Sequence, residues 1–505
     1  MESTSETLNE NRKVNLVSKC EQSKGHIPTA TLSQNVSLCF FFTFMRAVVT
    51  SPIPSWTCET MRLPPGINSR YVYLFGIVLI SLWIYIFSFV VTPYDFSMYI
   101  LHQSAEHSHS GNPTNIDVFD FPPLDSHAVR LVCDNVEWNP AIVFTCDNSV
   151  GGVGNIRNSI LNCVRYTISA GGSMVIPRIV VRNSGNIARI RTGERTGMDY
   201  MFDVEHFVHS LKVSCPQLTL YRYVDAVPNR AQGSGPVALL PESLVDEIPK
   251  PGLRHPEAWR EQFFEWLGTW AGLKPATMET PVLIDLGRSY LQYPIYTDGE
   301  EFALSFGNIL KFRADVRRIA TKVLRNLILT YNKSTNLSQP VLPDTFFGAH
   351  LRTEKDAVET WPAHDWKYQR YEVQSASYLQ KLKTTSLNLI YVASGNQSEI
   401  ARFSRDAAAY NVTTKFMLLD AEERQYLKDM AWDQQGLVDF LVMMKAASFV
   451  GIGHSSFAWN VALKRHTFSK MKKGYLDGPE MLNDELSVVY GVPHGYPEYA
   501  ACLWP

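Results

Sequence analysis

The chain has 505 residues, of which 19% are charged, and its formal net charge is −2 at pH 7. This near balance, without a basic stripe, argues against a nucleic-acid-binding protein. None of the eight cysteines stands in a CxxC or Cys/His spacing, so the sequence does not indicate a zinc-built domain.

Residues 71–91 read YVYLFGIVLISLWIYIFSFVV and contain no charged side chain. As a helix this run spans roughly 31 Å, about the thickness of the hydrocarbon core of a bilayer. A buried helix of a soluble protein rarely stays uncharged for so long, so the run predicts a single transmembrane helix. Arg62 and Arg70 precede it, and no Lys or Arg follows it until Arg130. The positive-inside rule therefore places the N-terminus in the cytosol and residues 92–505 in the lumen or outside the cell.

The segments on either side of this helix are polar and irregular. Residues 1–70 are rich in Ser, Thr, Asn and Pro, which predicts a disordered cytosolic tail. Residues 92–135 are typical of a stem that spaces a folded head from the membrane. Disulfides are allowed beyond the membrane, but the cysteines there are odd in number, so at least one is free or intermolecular: Cys133, Cys146, Cys163, Cys215 and Cys502. Beyond the predicted membrane helix, four N-glycosylation sequons agree with passage through the secretory pathway: Asn332, Asn336, Asn396 and Asn411.

The folded head opens with a β-α-β pattern. Ala141–Cys146 is a short apolar run typical of a strand, and SVGGVGN follows it as a glycine-rich turn. Asn155–Ala170 carries apolar residues at helical spacing, and Met174–Pro177 resumes as a strand. Strands joined through a helix indicate a parallel sheet, and hence an α/β domain over residues 136–330.

A second series of such units is predicted over residues 331–505. Its strands are expected at Thr345–Leu351, Leu387–Ala393 and Ala447–Gly451, and its helices from Ser398 and at Leu437–Lys445 and Phe457–Arg465. A strand at Val282–Leu286 and a long helix around Ile309–Leu329 lie between the two series. The simplest architecture is two α/β sheets that face one another across a cleft.

Three loops follow strand ends, where open α/β sheets bind ligands. In the first, Gly152 and Gly154 let the backbone approach a ligand closely, and the helix that follows offers free N–H groups to a phosphate. The spacing is not a dinucleotide fingerprint, because Arg157 stands where the last glycine belongs, and it is not a Walker loop. The alternative is a tight turn in which Asn155 caps the helix.

The second loop contains His350 and Arg352, which strand alternation places on one face. An arginine fork suits a diphosphate because it binds two oxygens at once. Replacing Arg352 should then weaken nucleotide binding with little change in stability. The alternative is that Arg352 is ion-paired with Glu354 or Asp356.

In the third loop, Ser455 and Ser456 follow a strand and either bind a phosphate or serve as an ordinary helix cap. The segment lacks the GxSxG spacing of a hydrolase nucleophile. No acidic pair of the DxD type, which holds Mn²⁺ in many sugar transferases, is evident. Negative charge on a leaving group must then be stabilised by arginine, hydroxyl groups and helix dipoles rather than by a metal.

Together the three loops resemble the motifs of the GDP-fucose protein O-fucosyltransferase superfamily. The glycine loop that ends in Asn155 is similar to the first motif, and HLR at His350–Arg352 is similar to the most characteristic one. The segment LVDFLVMMKAASFVGIGHSSF, with Asp439 and the ending Ser455-Ser456-Phe457, is similar to the third motif.

The resemblance implies a GT-B fold, in which two Rossmann-like domains face a cleft and the C-terminal one holds the nucleotide. It implies a metal-independent glycosyltransferase, without a cofactor, that transfers L-fucose from GDP-β-L-fucose with inversion to a hydroxyl of a protein or glycan. It also implies a role for each motif residue. Arg352 would contact the diphosphate and help GDP leave, and Asn155 would lie near the diphosphate and acceptor. Guanosine would be recognised by His350 and Asp439, and the phosphates and base would be held by Ser455, Ser456 and Phe457.

The chain departs from the family pattern at one position. Some relatives carry a Glu three residues before the motif asparagine, as a proposed catalytic base, where this chain has Gly152. Glu354 and Asp356 are other candidates for the base, and a strongly dissociative transition state would need none. A non-catalytic sugar- or glycoprotein-binding membrane protein of the same fold therefore stays open, as does an α/β enzyme that uses GGVGN for another nucleotide.

The leading hypothesis is a single-pass type II enzyme of the Golgi or ER membrane with a lumenal catalytic domain. Its expected partners are a GDP-sugar donor and a protein or glycan acceptor.

Overall fold

A computed structural model describes residues 116–505 except for short segments: 184–185, 188, 190–193, 232–234, 246–254, 271–274, 288–292, 296, 355, 358–366, 471–481, 494 and 497–502. The predicted cytosolic tail, the predicted transmembrane helix at 71–91 and the first part of the predicted stem lie outside the described residues. Within the described residues, no helix is both long enough and apolar enough to cross a bilayer.

The described helices are α1 (His127–Asp134), α2 (Val153–Ala170), α3 (Val204–Ser214), α4 (Pro256–Trp270), α5 (Glu300–Ser305), α6 (Ala314–Thr330), α7 (Tyr371–Leu382), α8 (Gln397–Asp406), α9 (Lys415–Leu418), α10 (Ala421–Asp429), α11 (Trp432–Met444) and α12 (Ser456–His466). The strands are β1 (Ile142–Thr145), β2 (Ser173–Val175), β3 (Arg178–Val180), β4 (Arg195–Gly197), β5 (Leu220–Tyr221), β6 (Val237–Leu239), β7 (Val282–Leu286), β8 (Phe347–His350), β9 (Leu389–Ala393), β10 (Asn411–Thr413), β11 (Ser448–Ile452) and β12 (Ser487–Tyr490).

Two five-stranded parallel sheets carry the fold, which confirms the predicted α/β class. Their strand orders are β5-β2-β1-β7-β6 and β10-β9-β8-β11-β12, and the pairings within both sheets are parallel. The strand order reverses between β1 and β7 in the first sheet and between β8 and β11 in the second. Open α/β sheets bind ligands beyond the carboxyl ends of the strands at such a reversal. The loops after β1, β8 and β11 are the three that the sequence singled out.

Helices from the two halves of the chain pack directly on one another. Every residue of β8, β9 and β11 is buried, as expected for parallel strands covered on both faces. Buried side chains of α2, α6, α11 and α12 belong to one apolar cluster, in which α6 packs on α11 and α2 packs on α12. This packing sets the spacing between loops that come from different sheets.

The structure differs from the predicted stem over residues 116–135. Helix α1 is capped by the Ser126 side chain and buries Val129 and Cys133. Cys133 forms a disulfide with Cys215, which follows α3, and Asp117 forms an ion pair with Arg317 of α6. This segment is part of the folded unit because its few apolar residues fall on one face of a helix.

A second disulfide joins Cys146, just after β1, to Cys163 in the middle of α2. It encloses the glycine loop, so the loop is anchored to the helix that follows it. Cys502, the remaining cysteine after the predicted membrane helix, lies outside the described residues.

Candidate active site

The loops after β1, β8 and β11 open onto one cleft of about 590 Å³, within the roughly 300–1,000 Å³ of small-molecule sites. The structure brings together in its walls every residue that the sequence placed at the site: Gly152, Gly154, Asn155, His350, Arg352, Glu354, Asp356, Asp439, Ser455, Ser456 and Phe457. Residues far apart in sequence therefore share one cavity, and their individual roles remain predictions.

Four helix N-termini meet at this cleft, because the first residues of α2, α8, α11 and α12 line it. The first-turn N–H groups of a helix have no intrahelical acceptor, and the helix dipole adds positive potential there. Such an arrangement favours an anion such as a phosphate.

The caps of two of these helices answer questions that the sequence left open. The N-cap of α2 is Gly152, without a side-chain cap, and Asn155 is the third residue of the helix rather than its cap. The N-cap of α12 is Ser455, whose Oγ accepts from the Ala458 N–H at 3.3 Å. Ser455 is therefore an ordinary cap that also lines the cleft.

Gly154 lets the first and third loops touch. A Cβ added to Gly154 would stand 2.6 Å from the carbonyl carbon and oxygen of Ser456, and 2.8 Å from Nδ2 of Asn460. Only glycine fits such a backbone approach without displacing its neighbours. The N-terminus of α2 thus lies directly against that of α12.

Arg352 is ion-paired, as the alternative interpretation of its loop proposed. Its Nη1 donates to Oε2 of Glu354 at 2.7 Å and to Oδ1 of Asp356 at 2.8 Å, and its Nη2 donates to Oδ2 of Asp356 at 2.7 Å. The Arg352 side chain is 16% exposed and borders the cleft. These three bonds use part of the five N–H groups of a guanidinium, so the fork can still bind a ligand.

The same contacts weigh against Glu354 and Asp356 as the catalytic base, which the sequence suggested. Burial alone raises the pKa of both carboxyls, but Arg352, with smaller contributions from other partners, holds both pKa values below their usual range. Oε1 of Glu354 also accepts from Ser394 Oγ at 3.1 Å and from Gly395 N at 2.8 Å. These carboxylates hold the loop in place and are poorly suited to accept a proton.

Arg182 and Asp433 extend this chain of contacts, and the sequence pointed to neither. Arg182 follows β3 in the first half, its Nη1 donates to Oδ2 of Asp356 at 3.0 Å, and its guanidinium lies 5.1 Å from the ring centre of Trp432. Its Nε is 3.3 Å from Oδ1 of Asp433. Burial, opposed by Arg182 and assisted by Asp356, raises the pKa of Asp433 to about 6. An acid in the first turn of a helix was the available signal, but that helix is predicted to begin only at Leu437.

His350 lies flat in the cleft against Phe457, with ring centroids 4.3 Å apart and ring planes at 30°. Its Nδ1 is buried and has no hydrogen-bond partner in the described part of the chain. Burial lowers the pKa of His350 to about 4, so the ring is neutral at pH 7 and offers one donor and one acceptor. A neutral ring beside an aromatic surface is suited to a nucleobase.

Asp439 is held by two residues that no sequence pattern indicated. Its Oδ1 accepts from the Tyr391 hydroxyl at 2.8 Å, and its Oδ2 accepts from Nζ of Lys415, which also donates to the Gln435 carbonyl at 3.1 Å. Burial raises the pKa of Asp439, and Lys415 opposes this shift. Each carboxylate oxygen can accept a further bond, so Asp439 can still meet an N–H donor of a ligand.

The charged side chains of the cleft nearly cancel. Arg182, Arg352 and Lys415 face four carboxylates, for a formal charge of −1 when all are ionised. Attraction for an anion therefore depends on the helix N-termini and on the N–H groups of Arg352 that its carboxylate partners leave unused. In the described residues, no group of three or more His, Cys, Asp or Glu side chains is placed to hold a metal ion.

Solved structures that match the chain include POFUT1 in complex with GDP, at 12% identity and a TM-score of 0.40, covering 70% of this chain and 100% of that one. Fucosyltransferase NodZ from Bradyrhizobium matches at 12% identity and a TM-score of 0.33, covering 64% of this chain and 92% of that one. A variant of Arabidopsis thaliana FUT1 in complex with GDP matches at 13% identity and a TM-score of 0.31, covering 67% and 71%. At these scores the likenesses carry no argument about activity or substrate.

No curated protein matches the chain significantly. Residues 270–468 match the family model described as GDP-fucose protein O-fucosyltransferase, a range that includes the second and third motifs. The resemblance indicated by these motifs is thereby confirmed, and the chain carries over residues 270–468 a domain of the GDP-fucose protein O-fucosyltransferase superfamily.

Proposed function

We propose that this protein is a GT-B glycosyltransferase that transfers L-fucose from GDP-β-L-fucose, with inversion, to a hydroxyl of a protein or glycan. The observation that carries the proposal is the cleft at the strand-order reversals, where four helix N-termini and Arg352 surround the motif residues. Phosphate oxygens suit helix N-termini and an arginine fork. No metal is assigned a role in this proposal.

The contacts suggest how the donor lies in the cleft. We place the diphosphate in the cleft in front of the adjoining N-termini of α2 and α12, with the Arg352 fork beside it. Charge that develops on departing GDP is then stabilised by donors that are already in position. The guanine is placed toward His350, Phe457 and Asp439, which together offer a ring surface and both kinds of hydrogen-bonding group.

Calorimetric titration of the purified full-length chain with GDP, GDP-fucose, UDP and NAD tests the donor. We expect GDP and GDP-fucose to bind at least about tenfold more tightly than UDP or NAD. Failure of the folded protein to bind either guanosine ligand contradicts the proposal, and preference for UDP or NAD favours the alternative nucleotide enzyme.

Turnover separates an enzyme from a binding protein of the same fold. We expect GDP to be released from GDP-fucose, slowly with water as acceptor and faster when glycoprotein acceptor fractions are added. Tight donor binding without any GDP release supports the non-catalytic alternative.

We also propose a single-pass type II topology in the Golgi or ER membrane, with the folded unit in the lumen. The two disulfides support an oxidising compartment, and Asn332, Asn336 and Asn411 are exposed, as glycosylated sequons must be. In cells we expect an endoglycosidase to increase the gel mobility of the chain. Replacing these three asparagines with glutamine should remove that shift, and its absence from the unaltered chain contradicts the lumenal placement.

A further inference from the structure

Asp433 is a buried residue whose Oδ1 has no hydrogen-bond partner in the described part of the chain. Its side chain is 4% exposed and lines the cleft as the second residue of α11. Oδ1 faces Nε of Arg182, but these two buried atoms do not form a hydrogen bond, and neither has another partner in the described part of the chain. Buried carboxylate oxygens are almost always hydrogen-bonded, so an oxygen left over beside a ligand cleft indicates a contact with the ligand.

The other carboxyl groups that line the cleft have firm partners. Glu354 and Asp356 are bonded to Arg352, and Asp439 is bonded to Tyr391 and Lys415. Among the described carboxyl groups of the cleft that could act as the base, Asp433 therefore stands out, because its buried Oδ1 has no hydrogen-bond partner.

Arg182 links Asp433 to the glycine loop. A Cβ added to Gly152 would have Nη2 of Arg182 as its nearest neighbour, at 3.9 Å. The space beside this glycine therefore opens toward the Arg182–Asp433 pair. The diphosphate is proposed to lie at the beginning of α2, and the fucose is attached to it. An acceptor hydroxyl that approaches this sugar can therefore reach Asp433.

We propose that Asp433 is the catalytic base of this transferase, an inference that rests on the proposed function. Oδ1 of Asp433 accepts the proton of the acceptor hydroxyl as the hydroxyl oxygen forms its bond to C1 of fucose. The bond from C1 to the β-phosphate oxygen breaks, and its electron pair leaves with GDP beside Arg352. The proton later passes from Asp433 to solvent, so atoms and charge balance without another reactant.

The acidity of Asp433 agrees with this role. Burial, against the charge of Arg182, raises its pKa to about 6, close to the pH at which a base must accept and then release a proton. Glu354 and Asp356 have pKa values shifted the other way and are weaker bases at the same pH.

Asp433→Asn in the full-length chain tests the proposal, because the amide keeps the shape of the side chain but cannot act as the base. GDP release from GDP-fucose is measured with water as acceptor across the range from about pH 5 to pH 8.5. We expect the variant to lose about 10²–10³-fold in kcat at neutral pH, while its affinity for GDP is unchanged. We also expect the wild type to lose activity below about pH 6, and this acid limb to be absent from the variant.

Asp429→Asn is the matched control, since Asp429 is exposed at the end of α10 and does not line the cleft. It should leave the rate and the pH profile unchanged. In Asp433→Ala, added formate should restore part of the lost rate, because a small carboxylate can occupy the vacated space. A merely structural role for Asp433 predicts no such rescue.

Thermal stability supplies a second measurement. The folded pKa of Asp433 is raised, so its ionised form opposes folding, and this penalty grows as pH rises from about 4 to 6. Asp433→Asn should therefore melt at a higher temperature than the wild type at about pH 8, and the difference should shrink toward pH 4. Asp429→Asn should show no such trend.

The possible failures are distinct. If the wild type binds GDP-fucose and releases GDP, but Asp433→Asn keeps its rate and its acid limb, Asp433 is not the base and the proposed function stands. If the wild type neither binds GDP-fucose nor releases GDP from it, the proposed function and this inference are both overturned.

Discussion

Replacing Arg352 with alanine is expected to abolish measurable GDP binding and to lower the free energy of unfolding by about 3–5 kcal/mol near neutral pH. The loss of binding follows from removal of the fork beside the diphosphate. The loss of stability follows because Glu354 and Asp356 are buried and would be left without their main cation. Calorimetry with GDP and urea denaturation measure the two effects. The sequence alone suggested that stability would not change, and the ion pairs overturn that expectation.

Two further variants separate the effects. In the triple variant Arg352→Ala, Glu354→Gln and Asp356→Asn, the unpaired charges are gone, so most of the stability should return while GDP binding stays absent. Arg402→Ala is the matched control, because Arg402 lies on the surface, where it contacts Glu372, Glu399 and the ring of Tyr371. It should leave GDP binding unchanged and lower stability far less than Arg352→Ala does, because exposed ion pairs contribute little. GDP binding by Arg352→Ala at wild-type affinity would refute the assigned role.

The stability effect of Arg352→Ala should also depend on pH. Arg352 holds the pKa values of Glu354 and Asp356 below their unfolded values. Their ionised forms therefore stabilise the wild type above an unfolded pKa of about 4, and this stability is lost as pH falls through the folded pKa values. The gap between wild type and variant should be widest near neutral pH and should narrow in acid.

Gly154→Ala is expected to lower the free energy of unfolding by about 1–3 kcal/mol and to weaken GDP binding by about tenfold or more. The added methyl group would lie 2.6 Å from the Ser456 carbonyl, so α2 and α12 must move apart at the point where their N-termini meet the cleft. Urea denaturation and calorimetry measure both changes on one preparation.

Gly268→Ala is the matched control for this change. Gly268 also lies inside a helix, α4, but its added Cβ would meet nothing within 4 Å. Alanine there should stabilise the protein by up to about 1 kcal/mol, through helix propensity, and should leave GDP binding unchanged. Wild-type stability and affinity in Gly154→Ala would show that the close approach of the two helices is dispensable.

The parts of the fold that follow from local patterns could be predicted from the sequence. The apolar run Leu387–Ala393 and the helical spacing of Asn155–Ala170 correspond to β9 and α2. The glycine loop and HLR were found for the same reason, because each is a short motif at a strand end. The sequence also suggested the ion pair of Arg352 as an alternative, because Glu354 and Asp356 are its close neighbours in the chain.

What the sequence missed depends on contacts between distant segments. Arg182 follows a three-residue strand, and it contacts Asp433 only because the fold brings these two distant parts of the chain together. Lys415 and Tyr391 surround Asp439 in the same way. The pairing Cys133–Cys215 likewise depends on how α1 and α3 pack, which spacing along the chain does not reveal.

The ion pairs of Arg352 couple the acidity of the cleft to its occupant. An anion that draws the guanidinium toward itself weakens the contacts that keep the pKa values of Glu354 and Asp356 low. Fewer contacts then oppose the effect of burial, so both pKa values rise and the two carboxyls bind protons more readily. Because such coupling is reciprocal, protons and an anionic ligand help one another to bind. A compartment more acidic than the cytosol would therefore retain the nucleotide longer, and neutralisation would hasten its release.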